Sequence, residues 1–172
     1  MPSFFNYPEL KDRIIVLDGW SKTYAMTGWR LGWSYWPNEC IEHIVKLLIN
    51  SVSRVNAPTQ YAGIAALDGP DDSINFMMKE FTERRNLIHK LLNELPGVEC
   101  SLPGGAFYAF PKVKNTGMSG AEFAKKCMYE AGVAVVPGTA FGSTAKDYVR
   151  FSVAASQDDI SQALENIKNM LN

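Results

Sequence analysis

From Asp71 or Asp72 to about Leu95, apolar residues (Ile74, Met77, Met78, Phe81, Leu87, Ile88, Leu91, Leu92 and Leu95) recur at helical spacing. No other stretch constrains the chain as strongly. At ~1.5 Å per residue such a helix would be roughly 35 Å long, enough to bridge two domains. Gly69-Pro70 closes whatever precedes it, and Pro96-Gly97 stops the helix itself. The expected organisation is therefore a segment 1–70, a linking helix 71–97 and a small α+β unit 98–172.

Ahead of that helix, Met1 to Asp12 carries Pro2 and Pro8 and reads as an irregular lead-in. Ile14–Asp18 is a short apolar run of the kind a buried strand uses. Leu31–Trp36 alternates large and small residues and predicts a second strand, stopped by Pro37. Two strands alone are marginal, so this start reads as the edge of a larger sheet. Asn38 is placed to cap a helix towards Val52, with Ile41, Ile44, Val45, Leu48 and Val52 on one face. An alanine-rich helix follows from Thr59 to Asp68.

Beyond Leu95 the pattern turns to strands and short helices. Val98–Leu102 and Ala106–Phe110, joined by Pro103-Gly104-Gly105, predict a hairpin. Ser119-x-x-Glu122 is a capping box opening a helix to Tyr129, with Gly132 as its stop. Val133–Val136 and Tyr148–Ala154 are expected strands flanking the glycine-bounded loop 137–142. Ser156 caps a last helix whose Ile160, Ala163, Leu164, Ile167 and Leu171 face inward.

The chain has 172 residues, 47% of them hydrophobic, and a net charge of −1 with no basic stripe. That length supports one good core or two small ones, and the charge argues against nucleic acid as a partner. Cys40, Cys100 and Cys127 are odd in number and widely spaced, and neither they nor His43 and His89 form a ligand cluster. Reduced, buried thiols and no metal are expected. No leader and no apolar run near ~18 residues is present, which predicts a soluble, cytoplasmic protein away from membranes.

The chemistry concentrates between Gly19 and Gly32. Here Ser21, Lys22 and Arg30 stand among glycines, small hydroxyls and aromatics, directly after the first strand. A lysine at the end of a buried strand can sit in a partly dry site, where its neutral amine attacks a carbonyl. Arg30 offers a planar fork suited to phosphate. Trp20, Tyr24 and Trp29 read either as pocket walls or as core. Arg150, in the strand Tyr148–Ser152, reads either as an edge residue facing water or as a fork for a carboxylate.

The stretch Ser21-Lys22 followed by Gly28-Trp29-Arg30-Leu31-Gly32 resembles the cofactor-attachment signature of class I/II aminotransferases, the aspartate aminotransferase-like enzymes that use pyridoxal 5'-phosphate (PLP). The blocks Pro103–Tyr108, Val135-Val136-Pro137-Gly138-x-x-Phe141-Gly142 and Arg150 resemble further segments of that family, in the same order. The resemblance implies an α/β protein of the PLP-dependent transferase fold type I, of which this chain is the end of the large domain plus the α+β small domain. It implies that Lys22 carries the cofactor as a Schiff base and acts as proton shuttle, and that Arg30 holds the phosphate. Many relatives place a phosphate-binding serine where Gly19 stands here, so a backbone amide or Ser21 would replace that hydroxyl.

Arg150 would grip the α-carboxylate of an amino acid or 2-oxo acid substrate, and the intact enzyme would be a homodimer. The family's N-terminal half supplies the phosphate loop, the ring-stacking aromatic, and the aspartate at the ring nitrogen. No Asp-x-x-Tyr element precedes Ile14. The chain is therefore expected to be the C-terminal part of such an enzyme and inactive alone. A PLP-dependent lyase or synthase on the same fold, and a non-catalytic fragment, are the alternatives.

Overall fold

A computed structural model describes residues 3–172; Met1 and Pro2 of the lead-in lie outside the described residues. The chain divides into two compact units, one ending at Ile74 and one running Asn75–Asn172.

In the first unit, strand β1 (Val16–Gly19) runs into the single helical turn α1 (Trp20–Thr23). Strand β2 (Gly32–Tyr35) returns antiparallel to β1, with Val16 opposite Tyr35 and Gly19 opposite Gly32. The ladder starts two residues later than the apolar run suggested, because Pro8–Arg13 winds into a 3-10 helix that delivers Ile14 as its cap. The expected burial is also corrected. Ile15 is 52% and Leu17 74% exposed, since the described residues add no third strand and no packed layer over them.

Helices α2 (Asn38–Ser51) and α3 (Ala57–Asp68) follow. Pro37, not Asn38, holds the N-cap position of α2, which consequently lacks a side-chain cap. At α3 the Asn56 side chain accepts from the Thr59 amide, and Pro58 sits in the first turn, where its missing N–H costs nothing.

The second unit carries the long helix α4 (Asp72–Asn93) along most of its length. Strands β3 (Tyr108–Ala109), β4 (Val136–Pro137) and β5 (Val149–Ser152) form an antiparallel sheet in the order β3-β5-β4. The expected hairpin is replaced by a single bridge between Glu99 and Lys112. The reason is local competition. Asn93 at the end of α4 accepts the Cys100 amide at 3.0 Å and donates to the Cys100 carbonyl at 2.9 Å, so a helix takes the bonds a strand partner needed. Tyr108–Ala109 pairs with β5.

Helix α5 (Gly120–Lys126) begins at the capping box, with the Glu122 amide donating to Ser119 and the Glu122 carboxylate accepting the Ser119 amide at 2.9 Å. It widens into a π-helical turn over Cys127–Ala131 before Gly132 ends it in the left-handed region. The loop 137–142 contains a 3-10 helix, Gly138–Phe141, and α6 (Gln157–Leu171) opens on a Ser156 cap. Ile88 and Leu92 of α4, Phe123 and Cys127, Val149 and Phe151 of β5, and Ile160, Leu164 and Ile167 of α6 enclose one apolar core.

Candidate functional site

The loop from Trp20 to Leu31 closes on itself. Trp20 N–H donates to the Leu31 carbonyl at 3.2 Å, and Met26 N–H reaches the Trp20 carbonyl. Met26 and Leu31 are its buried anchors. The Trp20 indole donates to the Gly63 carbonyl of α3 at 3.2 Å, and a Cβ on Gly63 would run into the Leu31 side chain. The loop therefore sits on α3 through a tryptophan, a leucine and the absence of a side chain. A Cβ on Gly19 would lie 2.8 Å from the Leu31 carbonyl oxygen, so only glycine lets β1 pass so close to the returning chain.

This arrangement brings Ser21, Lys22 and Arg30 to one open recess of about 340 Å³, completed by Asp18, Gly19, Leu31 and Gly32. Two cations against one carboxylate leave the lining net positive, suited to an anion. Arg30 is held in the left-handed region at φ 53°, a conformation that costs a non-glycine residue about 1–3 kcal/mol and persists only where surroundings enforce it. Its Nη1 donates to the Thr27 carbonyl at 3.0 Å, which fixes the guanidinium and leaves most of its donors for a ligand.

One expectation changes. Lys22 is exposed at the recess wall and not in a partly dry site, because the strand that delivers it is itself uncovered. The Gly19 amide donates to the Asp18 carboxylate at 2.7 Å. Trp20 and Tyr24, with Thr23, Trp33 and Leu67, line an adjoining recess of about 470 Å³ that shares Asp18 and Gly19, whereas Trp29 lines neither. Asp18 is the recess residue that sequence reasoning passed over; its place as last acidic residue before the glycine was the available signal.

Arg150 belongs to the second unit. It lies in β5 opposite Val136 of β4, half-buried, with Val149 and Phe151 turned to the core on either side. Its guanidinium lies 4.2 Å from the centroid of Tyr108 and 4.4 Å from that of Phe141. Among the described residues it makes no hydrogen bond or ion pair. Tyr108 and Phe141 stood in the two blocks that resembled the family, yet nothing in their spacing showed that they meet one arginine.

The donor set of the first recess fits a phosphate group: an ammonium, a guanidinium, a hydroxyl, and glycine backbone where a Cβ would crowd the wall.

Comparison with known proteins gives the family. Residues 3–167 match the family described as aminotransferase class I and II. The chain is 39% identical to an aspartate aminotransferase of Pyrococcus horikoshii, over 96% of this chain and 44% of that protein. It is 43% identical to a (5-formylfuran-3-yl)methyl phosphate transaminase of Methanocaldococcus jannaschii, over 99% of this chain and 45% of that one. Among solved structures it superposes on an aromatic aminotransferase of Pyrococcus horikoshii with a TM-score of 0.89 and 40% identity, covering 93% of this chain and 43% of that one. The architecture is accordingly part of fold type I, and the chain spans less than half the length of the curated relatives it matches. It belongs to the class I and II aminotransferases.

Proposed function

We propose that this chain contributes the lysine-bearing part of a PLP-dependent aminotransferase that moves an amino group between an amino acid and a 2-oxo acid. The observation that carries this is the recess joining Lys22, Arg30 and Ser21 within an aminotransferase sequence. In this reading Lys22 Nζ is the covalent attachment point for PLP and, once released by substrate, moves the proton from the substrate Cα. Arg30 and Ser21 hold the phosphate. Arg150 binds the α-carboxylate in a bidentate pair. When bound, PLP supplies the electron-withdrawing ring that makes the Cα–H acidic.

Residues 1–70 serve as part of the large domain, 71–97 as the linking helix and 98–172 as the small domain of a cytoplasmic homodimer. Among the described residues no helix is long and apolar enough to cross a membrane. The chain alone is inactive, a reading supported by its covering less than half of its relatives.

The test uses two proteins. The chain alone, mixed with PLP, should give no imine absorbance near ~420 nm attributable to a built site, and borohydride should fix nothing selectively on Lys22. Joined behind the N-terminal part of the Pyrococcus horikoshii relative, it should be labelled at Lys22 by the same treatment and should transaminate. In that protein Lys22→Ala should abolish label and turnover, and Arg150→Ala should weaken the amino acid far more than PLP. A stoichiometric label on another lysine in place of Lys22, or turnover surviving Lys22→Ala, overturns the assignment.

A further inference from the structure

The side chain of Arg150 poses a question that its place in the sequence does not answer. A half-buried guanidinium carries five N–H donors, yet Arg150 uses none of them on another described residue. Its contacts are two aromatic faces, Tyr108 and Phe141, at 4.2 and 4.4 Å. The faces come from different segments. Tyr108 is on β3 opposite Ser152, diagonal to Arg150 across the β3–β5 pair, and strand alternation puts both on the face away from buried Ala109 and Phe151. Phe141 ends the 3-10 helix Gly138–Phe141 that follows β4.

Neither ring stands alone. Phe107 lies 4.5 Å from Tyr108. Phe110 meets Phe141 edge-on at 5.9 Å and 83°, and is itself stacked on Tyr148 at 5.3 Å and 9°. The walls around the arginine are thus backed by a second layer of rings, which resists their opening.

We propose that Tyr108 and Phe141 are positioning residues that hold the Arg150 guanidinium as an edge-on fork and thereby select a planar carboxylate over a tetrahedral anion. This rests on the reading of Arg150 as a carboxylate site. In the proposed arrangement one ring lies over each face of the guanidinium, and an anion reaches it only within its plane, where the paired N–H groups match the two oxygens of a carboxylate. A tetrahedral anion carries a third oxygen out of that plane, against the negative face of a ring. The aromatic faces also stabilise the cation without consuming its donors.

The test reads Arg150 directly in the 172-residue chain. With ¹⁵N-labelled arginine, the Nε–H signal of Arg150 is identified by its disappearance in Arg150→Lys. Acetate and methanesulfonate, both monoanions at neutral pH, are titrated at constant ionic strength. Acetate should move the signal at the lower concentration. In Phe141→Leu and Tyr108→Leu the acetate midpoint should rise roughly two- to fivefold, and the preference over methanesulfonate should shrink. Phe141→Tyr, which keeps a ring, should behave as the wild type.

Phe141 is half exposed, so Phe141→Leu leaves the core intact, and its amide spectrum reports that directly. Unchanged acetate binding and preference in both leucine variants overturns the positioning role while the carboxylate reading stands. An Arg150 signal that acetate never moves in the wild type overturns the carboxylate reading, and the selection with it.

Discussion

The two units spend their apolar side chains differently. In the second, Ile88, Leu92, Phe123, Cys127, Val149 and Ile167 are at most 1% exposed and meet in one core. In the first, the large side chains that count as buried among the described residues are Met26 and Leu31, while Leu17, Leu47, Tyr61 and Leu67 are 59–75% exposed. What holds Lys22 and Arg30 in place is correspondingly local: the Trp20–Leu31 backbone bond, the Thr27 carbonyl, and the seat of Trp20 on Gly63. The recess that joins Lys22 and Arg30 therefore lies outside the unit that holds the apolar core. Apolar exposure on this scale suits an interface, and relatives more than twice as long have the chain to form one.

Paired truncations report the difference between the units most strongly. Leu92→Ala, at a site with no exposure, should cost about 2–5 kcal/mol through lost transfer energy and the cavity left behind. Leu48→Ala, 46% exposed on α2, should fall within about 0.5 kcal/mol. Chemical denaturation of both variants measures the difference. Equal costs would mean that the α2 face is covered in solution and that the contrast is false.

The same division separates what was legible in the sequence from what was not. Features set by neighbours along the chain were readable. The Ser119–Glu122 box and the Ser156 cap open the helices they announced, and α4 ends within two residues of the expected Leu95. Strand lengths were not readable, because a ladder ends where its partner does, and the hairpin at 98–110 yielded to Asn93, a side chain outside the apparent strand. At the site, Ser21, Lys22 and Arg30 share a recess because one short loop carries all of them. The exposure of Lys22 depends on what packs over β1, which no local pattern states. The rings around Arg150 arrive from β3 and from the turn after β4, so only the sheet brings them together.

The thiols of the two units differ in burial. Cys40 in the first unit is half-buried, whereas Cys100 and Cys127 in the second are buried. Burial pushes the Cys127 thiol from 9.0 up to about 12, and pushes Cys100 up as well. A thiol reagent should therefore modify Cys40 first, and Cys127 only on unfolding. The raised value also fixes the sign of a pH effect. The unfolded chain loses this proton near 9.0 and the folded chain only near 12, so stability is fully present below 9.0 and falls as pH rises towards 12. The stability difference between wild type and Cys127→Ala should shrink across that window. A difference that stays flat would mean that the folded thiol ionises as easily as the unfolded one.

Helix caps give the smallest effects and the finest comparison. Asn56→Ala removes the acceptor of the Thr59 amide at the start of α3 and should cost about 1 kcal/mol, independent of pH because no ionisable group takes part. Ser119→Ala in the second unit breaks a cap of another kind. There the Ser119 hydroxyl and amide both donate to the Glu122 carboxylate, at 2.7 and 2.9 Å, and hold its pKa below the usual 4.5. A lowered carboxyl pKa contributes stability that is present above 4.5 and is lost as pH falls through the folded value. The penalty of Ser119→Ala should accordingly diminish in acid while that of Asn56→Ala does not. Native-state hydrogen exchange should locate the two losses in different units, with Asn56→Ala acting on amides before Ile74 and Ser119→Ala on those after it. If either substitution loosens both units equally, they unfold as one, and the contrast between a well-packed and a locally held unit does not hold.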